Sequence, residues 1–171
     1  IIELGAGNGE MMFQILSTVE KFNKFKSSSN FFIYEKSIYL KKLQKNKIKF
    51  KNIKWISNIK KVYKFPSIFI ANEFFDALPI KQFRKKNNNW YEKYIVNRDD
   101  SLKFFEKKIK KKFIEKLIKQ KLEKNKNFFE YSPLANEKLD AISKIIKKYN
   151  GGLLIIDYGY KNKEMFDTLQ S

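Results

Sequence analysis

The first twelve residues, IIELGAGNGEMM, set Gly5, Gly7 and Gly9 at alternate positions between a short apolar run and a helix-like one. Glycines so placed let a turn bring its backbone against a small ligand with no Cβ in the way. Two common ligands do not fit. The dinucleotide fingerprint G-x-G-x-x-G needs its third glycine at position 10, where Glu10 stands, and a carboxylate at a helix start repels a pyrophosphate. The lysine and Ser/Thr of a phosphate-binding P-loop are missing too. The 171 residues contain neither cysteine nor histidine. Thiolate nucleophiles, zinc-thiolate centres and imidazole bases are therefore excluded within this stretch, and no metal site is expected. Chemistry must run on carboxylates, amides, hydroxyls, lysines and a bound cofactor.

Glu3, Gly5, Gly7 and Gly9 spell E-x-G-x-G-x-G, which resembles the first motif of class I S-adenosylmethionine-dependent methyltransferases. That cofactor carries a sulfonium and an α-ammonium but no phosphate, so acids around it are acceptable. Glu35 ends the second apolar strand, where a carboxylate can accept both ribose hydroxyls. A second stretch, IANEFFDALPIKQF, sits where the fourth strand of such a fold meets the transfer site. Nucleic-acid amine methyltransferases resemble one another there through an Asn-Pro-Pro-Tyr-like tetrapeptide. This chain keeps Asn72 but has Glu73 and Phe74 where the prolines would be. A carboxylate at that point suits a guanidinium better than an aromatic amine.

The stretches ELGAGNG, YEKS, KWI, ANEFFDALPIKQF, NWYEKYIV, EYSPLA, GGLLIIDYGY and DTLQ run in order from residue 1 to residue 170. Together they resemble the MidA family, which includes a mitochondrial methyltransferase of complex I assembly. Ala6 and Asn8 depart from the family pattern, where proline and arginine are common, and leave the glycines intact. The resemblance implies methyl transfer from S-adenosylmethionine to an arginine of a protein substrate, in mitochondria a complex I subunit. It implies that Glu3, Gly5, Gly7 and Gly9 line the methionine part of the cofactor, that Glu35 holds the ribose, and that Asn72 lies near the transferring methyl. Glu73 and Asp76 are the candidates for gripping the guanidinium. Asp76 has a second reading as the cap of a helix starting at DALP. Asp157 is open between a structural hydrogen bond and a substrate role, and Trp90 reads as packing.

Two other functions compete with this one. One is a non-catalytic assembly factor that keeps the cofactor fold, the other a small-molecule or RNA methyltransferase. The resemblance implies the cytoplasm of a bacterium, the favoured source, or the mitochondrial matrix of a eukaryote. Family members carry a helical segment before the first strand and continue beyond DTLQ. The chain also lacks an initiator Met, so it reads as a fragment, incomplete at both ends. No oligomeric state is assigned.

The elements that must position these residues alternate. IIEL, NFFIYEKS, IKWIS, SIFIANEFF and LLIIDYGY read as strands, with the fourth buried on both faces. NGEMMFQILSTVEKF has apolar residues at 11, 12, 15, 16 and 19, a helical period. SIYLKKLQKN is a second helix with Ser37 as N-cap, and a third runs from about 135 to 149, closed by Gly151 and Gly152. Alternation of this kind predicts an α/β, doubly wound, mostly parallel sheet of the class I methyltransferase (Rossmann-like) type. The expected strand order is 3-2-1-4-5, with residues 2–5 and 67–72 adjacent. Residues 80–130 read as an insertion into one methyltransferase domain spanning 1–171. Within it, residues 80–96 form a hairpin turning on Asn87, Asn88 and Asn89. A Lys-rich amphipathic helix with apolar residues at 105, 109, 113, 117 and 118 follows.

Apolar residues make up 43% of the chain, too many for a disordered segment, and no run is long enough to span a bilayer. The net charge of +19 invites a nucleic-acid reading. Yet only Arg84 and Arg98 are arginine, and Lys, Asn, Ile, Phe and Tyr abound together, as AT-rich codons dictate. A nucleic-acid surface favours arginine for bidentate phosphate and guanine contacts, so no nucleic-acid partner is expected.

Overall fold

Strands β1 (Ile2–Leu4), β2 (Phe31–Tyr34), β3 (Ile53–Ile56), β4 (Ser67–Asn72) and β9 (Gly151–Ile156) pair in parallel, in the order β3-β2-β1-β4-β9. This is the predicted order, and β1 and β4 are adjacent, with Ile2 opposite Phe69 and Leu4 opposite Ala71. The computed structural model describes residues 1–62, 65–122, 126–159 and 167–168. Tyr160 of GGLLIIDYGY and the end of DTLQ lie outside the described residues.

Strand pleating sends alternate residues to opposite faces, and each face has its own core. Ile2, Leu4, Phe32, Tyr34, Phe69 and Ala71 form one with Ile142 of α5 (Pro133–Tyr149). Phe31, Ile33 and Ile53 form the other with Met12, Leu16 and Val19 of α1 (Glu10–Val19). Ile48 joins that second core at the end of α3 (Ile38–Lys47). A short helix that the periodicity missed, α2 (Asn23–Ser28), buries none of its residues. Ser37 caps α3 as expected, its Oγ accepting the Leu40 N–H at 3.2 Å.

Three expectations need correction. β4 is not buried on both faces, since Ile68 is 51% exposed while Ser67, Phe69 and Ala71 are buried. Only the face covered by α5 is sealed along its length. The stop signal of α5 is Asn150, at φ 63, and not the glycine pair. Gly151 instead opens β9 at φ 137, where a Cβ would stand 2.0 Å from the Ser67 carbonyl oxygen. Its missing side chain is what lets β9 pair with β4. The third correction concerns the Lys-rich stretch, which is half strand.

By Cα proximity the chain divides into two compact units, Ile1–Leu78 with Ala135–Tyr158, and Pro79–Leu134 with Gly159–Ser171. The second holds an antiparallel sheet ordered β7-β6-β5-β8, of β5 (Lys81–Lys86), β6 (Asn89–Arg98), β7 (Ser101–Ile109) and β8 (Phe128–Tyr131). The predicted hairpin is β5–β6. Asn87 and Asn88, both left-handed at φ 47 and 58, make its two-residue turn. The expected helix through 105–118 is confined to α4 (Lys111–Ile118). Residues 101–109 form β7 because Asp99 and Asp100, at φ 53 and 56, fold a second two-residue turn onto β6. Phe83, Trp90, Ile114, Leu122 and Phe129 form this unit's core. Trp90 packs edge-on against Phe129 at 5.9 Å, the expected packing role.

Candidate cofactor and acceptor site

Sheets of this order bind ligands beyond the carboxyl ends of their strands, where the order reverses. Here that point lies between β1 and β4. Every candidate residue of the first unit follows the end of β1, β2, β4 or β9, except Glu3 inside β1 and Asn72 at the last position of β4.

All three loop glycines are left-handed, at φ 65, 52 and 82. At Gly5 the requirement is also one of space, because a Cβ would meet the Phe74 ring at 2.7 Å. Phe74, buried and edge-on to Tyr34 at 6.0 Å, thus joins the glycine loop to the loop after β4. A Cβ on Gly7 would meet nothing within 4 Å, so that part of the loop faces open space.

Glu3 points to the α1 face of the sheet and is 2% exposed. Burial pushes its carboxyl up to about 7, against a weaker downward pull from the Met12 backbone N–H. Its Oε2 is buried with no hydrogen-bond partner among the described residues. A buried acceptor without a donor calls for a cation or a donor from outside. The ammonium or sulfonium of S-adenosylmethionine is such a group, and the loop that follows Glu3 is open at Gly7. The residues present therefore fit that cofactor.

Glu35 is buried and already engaged. Its Oε1 accepts the Lys36 and Ser37 N–H groups at 2.8 and 2.9 Å, and its Oε2 accepts from Gln44 Nε2 at 3.2 Å. These bonds fix the direction of the side chain at the end of β2. Gln44 belongs to no motif. Its only sequence signal is its place one helical turn after Leu40 on α3.

After β4 the chain turns sharply at Glu73, a non-glycine at φ 45 whose N–H donates to the Ile156 carbonyl at 2.9 Å. Asn72, Glu73 and Asp76 are all exposed. No helix follows Asp76, so the capping alternative falls. Its Oδ1 accepts the adjacent Ala77 N–H at 2.7 Å within a turn. The Tyr158 phenol, which the motifs also passed over, is pushed up above its ordinary range. It donates to Asp76, whose charge adds to the effect, and Asp157 and Glu73 contribute further. Asp157 Oδ1 accepts the Tyr158 N–H at 3.0 Å. Glu73 and Asp76 after β4 and Asp157 after β9 thus stand at the carboxyl ends of neighbouring strands, which the Glu73 N–H to Ile156 carbonyl bond ties together. Among the described residues no group of acids could hold a metal ion, and no helix is long and apolar enough to cross a membrane.

The family model described as "Putative S-adenosyl-L-methionine-dependent methyltransferase" matches residues 1–171. The Protein arginine methyltransferase NDUFAF7 homolog, mitochondrial, of Caenorhabditis elegans is 29% identical over 204 residues, covering 100% of this chain and 48% of its own. The mitochondrial Protein arginine methyltransferase NDUFAF7 of Xenopus laevis is 25% identical, covering 99% and 44%. The chain spans about half the length of these curated relatives. A crystal structure of a Burkholderia thailandensis protein bound to S-adenosyl-homocysteine superposes with a TM-score of 0.70 at 16% identity, over 93% of this chain and 41% of that one. A native structure from the same organism gives 0.69 over 94% and 43%. At this identity the likeness establishes the fold.

Proposed function

From the premise that this chain belongs to the MidA family of S-adenosyl-L-methionine-dependent methyltransferases, we propose that the protein methylates arginine on a protein substrate. The observation that carries this reading is the pairing of β4 with β9, which sets Glu73, Asp76 and Asp157 in the loops at the carboxyl ends of two neighbouring strands. When bound, S-adenosylmethionine supplies an electrophilic methyl on a sulfonium. Glu3 and the glycine loop would hold its methionine part, Glu35 its ribose, and Asn72 the neighbourhood of the methyl. An arginine is protonated at neutral pH. Glu73 and Asp76 would localise that charge, aim one guanidinium nitrogen, and accept the proton lost as the C–N bond forms. Positioning of this kind supplies much of the acceleration in a bimolecular displacement.

The arginine specificity is supported by the relatives' names and by Glu73 standing where nucleic-acid amine methyltransferases carry a proline. A complex I subunit as the substrate follows from the family resemblance alone. The same reading puts the protein in the cytoplasm of a bacterium or the mitochondrial matrix of a eukaryote. The decisive test is mass spectrometry of arginine methylation in the source organism with and without the gene. Loss of a methylarginine mark in the deletion strain supports the proposal. S-adenosylmethionine binding by calorimetry with no change in any methylarginine would favour the binding-only assembly factor.

A further inference from the structure

Gln44 is wholly buried, and its amide reaches three separate segments. Nε2 donates to the Gly7 carbonyl at 2.8 Å and to Glu35 Oε2 at 3.2 Å. Oε1 accepts the Trp55 indole N–H at 2.9 Å. The two amide hydrogens face two acceptors, and the carbonyl faces a donor. A primary amide in this one orientation satisfies all three partners, and no other side chain of the same size does. The approach is close, since a Cβ on Gly9 would stand 3.2 Å from Gln44 Cγ.

We propose that Gln44 is a positioning residue that locks the glycine loop to the Glu35 carboxylate and so presets both halves of the cofactor site. The inference rests on the reading that this loop and Glu35 hold S-adenosylmethionine. With the clamp in place, the loop needs no ordering when ligand arrives, and preorganisation of this kind raises affinity. An apolar residue at 44 strands three buried polar groups. A carboxylate at 44 opposes two acceptors and satisfies only Trp55.

The test compares wild type with Gln44→Leu and Gln44→Glu, using S-adenosylmethionine calorimetry and backbone hydrogen exchange at Gly5–Gly9 in the ligand-free protein. The charged and titratable groups around position 44 are Glu35 at the end of β2, Lys45 over the Trp55 ring, and the Lys47–Glu10 ion pair between α3 and α1. At pH 8, both variants should bind at least about tenfold more weakly and exchange the loop amides at least about tenfold faster, the scale of one lost buried hydrogen bond. As pH is lowered from 8 and the introduced carboxyl takes up a proton, it regains one donor. The Gln44→Glu deficit relative to wild type at the same pH should then shrink to within about threefold, while that of Gln44→Leu stays. A merely space-filling residue would not produce that pH contrast. Affinity and exchange within twofold of wild type in both variants would overturn the proposal. If Gln44→Leu does not fold, Trp55→Phe, which removes one of the three bonds, should still speed loop exchange by about threefold, and unchanged exchange there would equally overturn it. If wild type itself binds no S-adenosylmethionine, the functional reading fails and hydrogen exchange alone decides the clamp.

Discussion

At the scale of single residues, the site depends on acids held in unfavourable states. Glu3 is the clearest, a buried carboxyl raised to about 7 with one oxygen unpaired among the described residues. A carboxyl that titrates higher in the fold than in the unfolded chain contributes stability that is full below about 4.5 and is lost as pH rises through about 7. The ligand-free protein should therefore lose up to about 3 kcal/mol across that window, at about 1.4 kcal/mol for each pH unit between the two values. Urea unfolding at pH 5, 6, 7 and 8 measures the slope, and Glu3→Gln should flatten it. A slope surviving in Glu3→Gln would assign it to another group. Glu73 is the second such residue, since an L-residue at φ 45 is strained. Glu73→Gly should leave stability unchanged or raise it by about 1 kcal/mol. On the proposed function, methyl transfer should nevertheless fall by at least about a hundredfold, because the carboxylate proposed to meet the guanidinium is gone. Thermal melts paired with a methylation assay separate the two effects. The places of Glu3, the glycines and Glu35 in the fold were legible, the first four from the spacing of a motif and Glu35 from the end of an apolar strand. Gln44 and Tyr158 were not, since their partners lie far away in sequence or arise only when β4 and β9 come together.

At the scale of elements, strands and helices were legible where a continuous apolar run marked a strand buried on both faces or a single helical period marked one buried face. β1, β2, β3 and α1 follow their apolar periods. The Lys-rich stretch misled because apolar residues at 105, 109, 113 and 117 keep a helical spacing that β7 and α4 divide between them. The signal that could have divided them is Asp99-Asp100, which tolerates the left-handed angles of a two-residue turn. Glycine releases what strain remains there, so Asp100→Gly should stabilise the second unit by about 0.5–1 kcal/mol. A lower melting temperature in that variant would mean that the Asp100 side chain supports the turn in its own right. Gly151 is the opposite case. Any side chain there meets the Ser67 carbonyl at 2.0 Å, so Gly151→Ala should cost about 3 kcal/mol or more by forcing β9 off β4. Loss of hydrogen-exchange protection along 67–72 is the readout, and full protection would show that the strands can shift to accept a methyl.

At the scale of the whole molecule, a large positive charge and an apolar sheet edge act against each other. β9 is the last strand of the parallel sheet among the described residues, and Leu154, Ile155 and Ile156 are each about half exposed. An edge strand with apolar side chains and open backbone groups is a template for pairing with another chain. The net charge of +19 opposes this, because every approach of two copies brings like charges together. Salt decides the balance. The screening length falls from about 30 Å at 0.01 M to about 3 Å at 1 M, so repulsion fades while the apolar attraction remains. Residues 1–171 should therefore scatter light as a monomer in dilute buffer and associate progressively as NaCl rises toward about 0.5 M. Ile155→Lys places a charge on the edge itself and should suppress association at every salt concentration. Leu102, on the exposed edge strand β7 of the other sheet, is the control position. If Leu102→Lys suppresses association and Ile155→Lys does not, the sticking edge is β7, and β9 is protected by something other than charge.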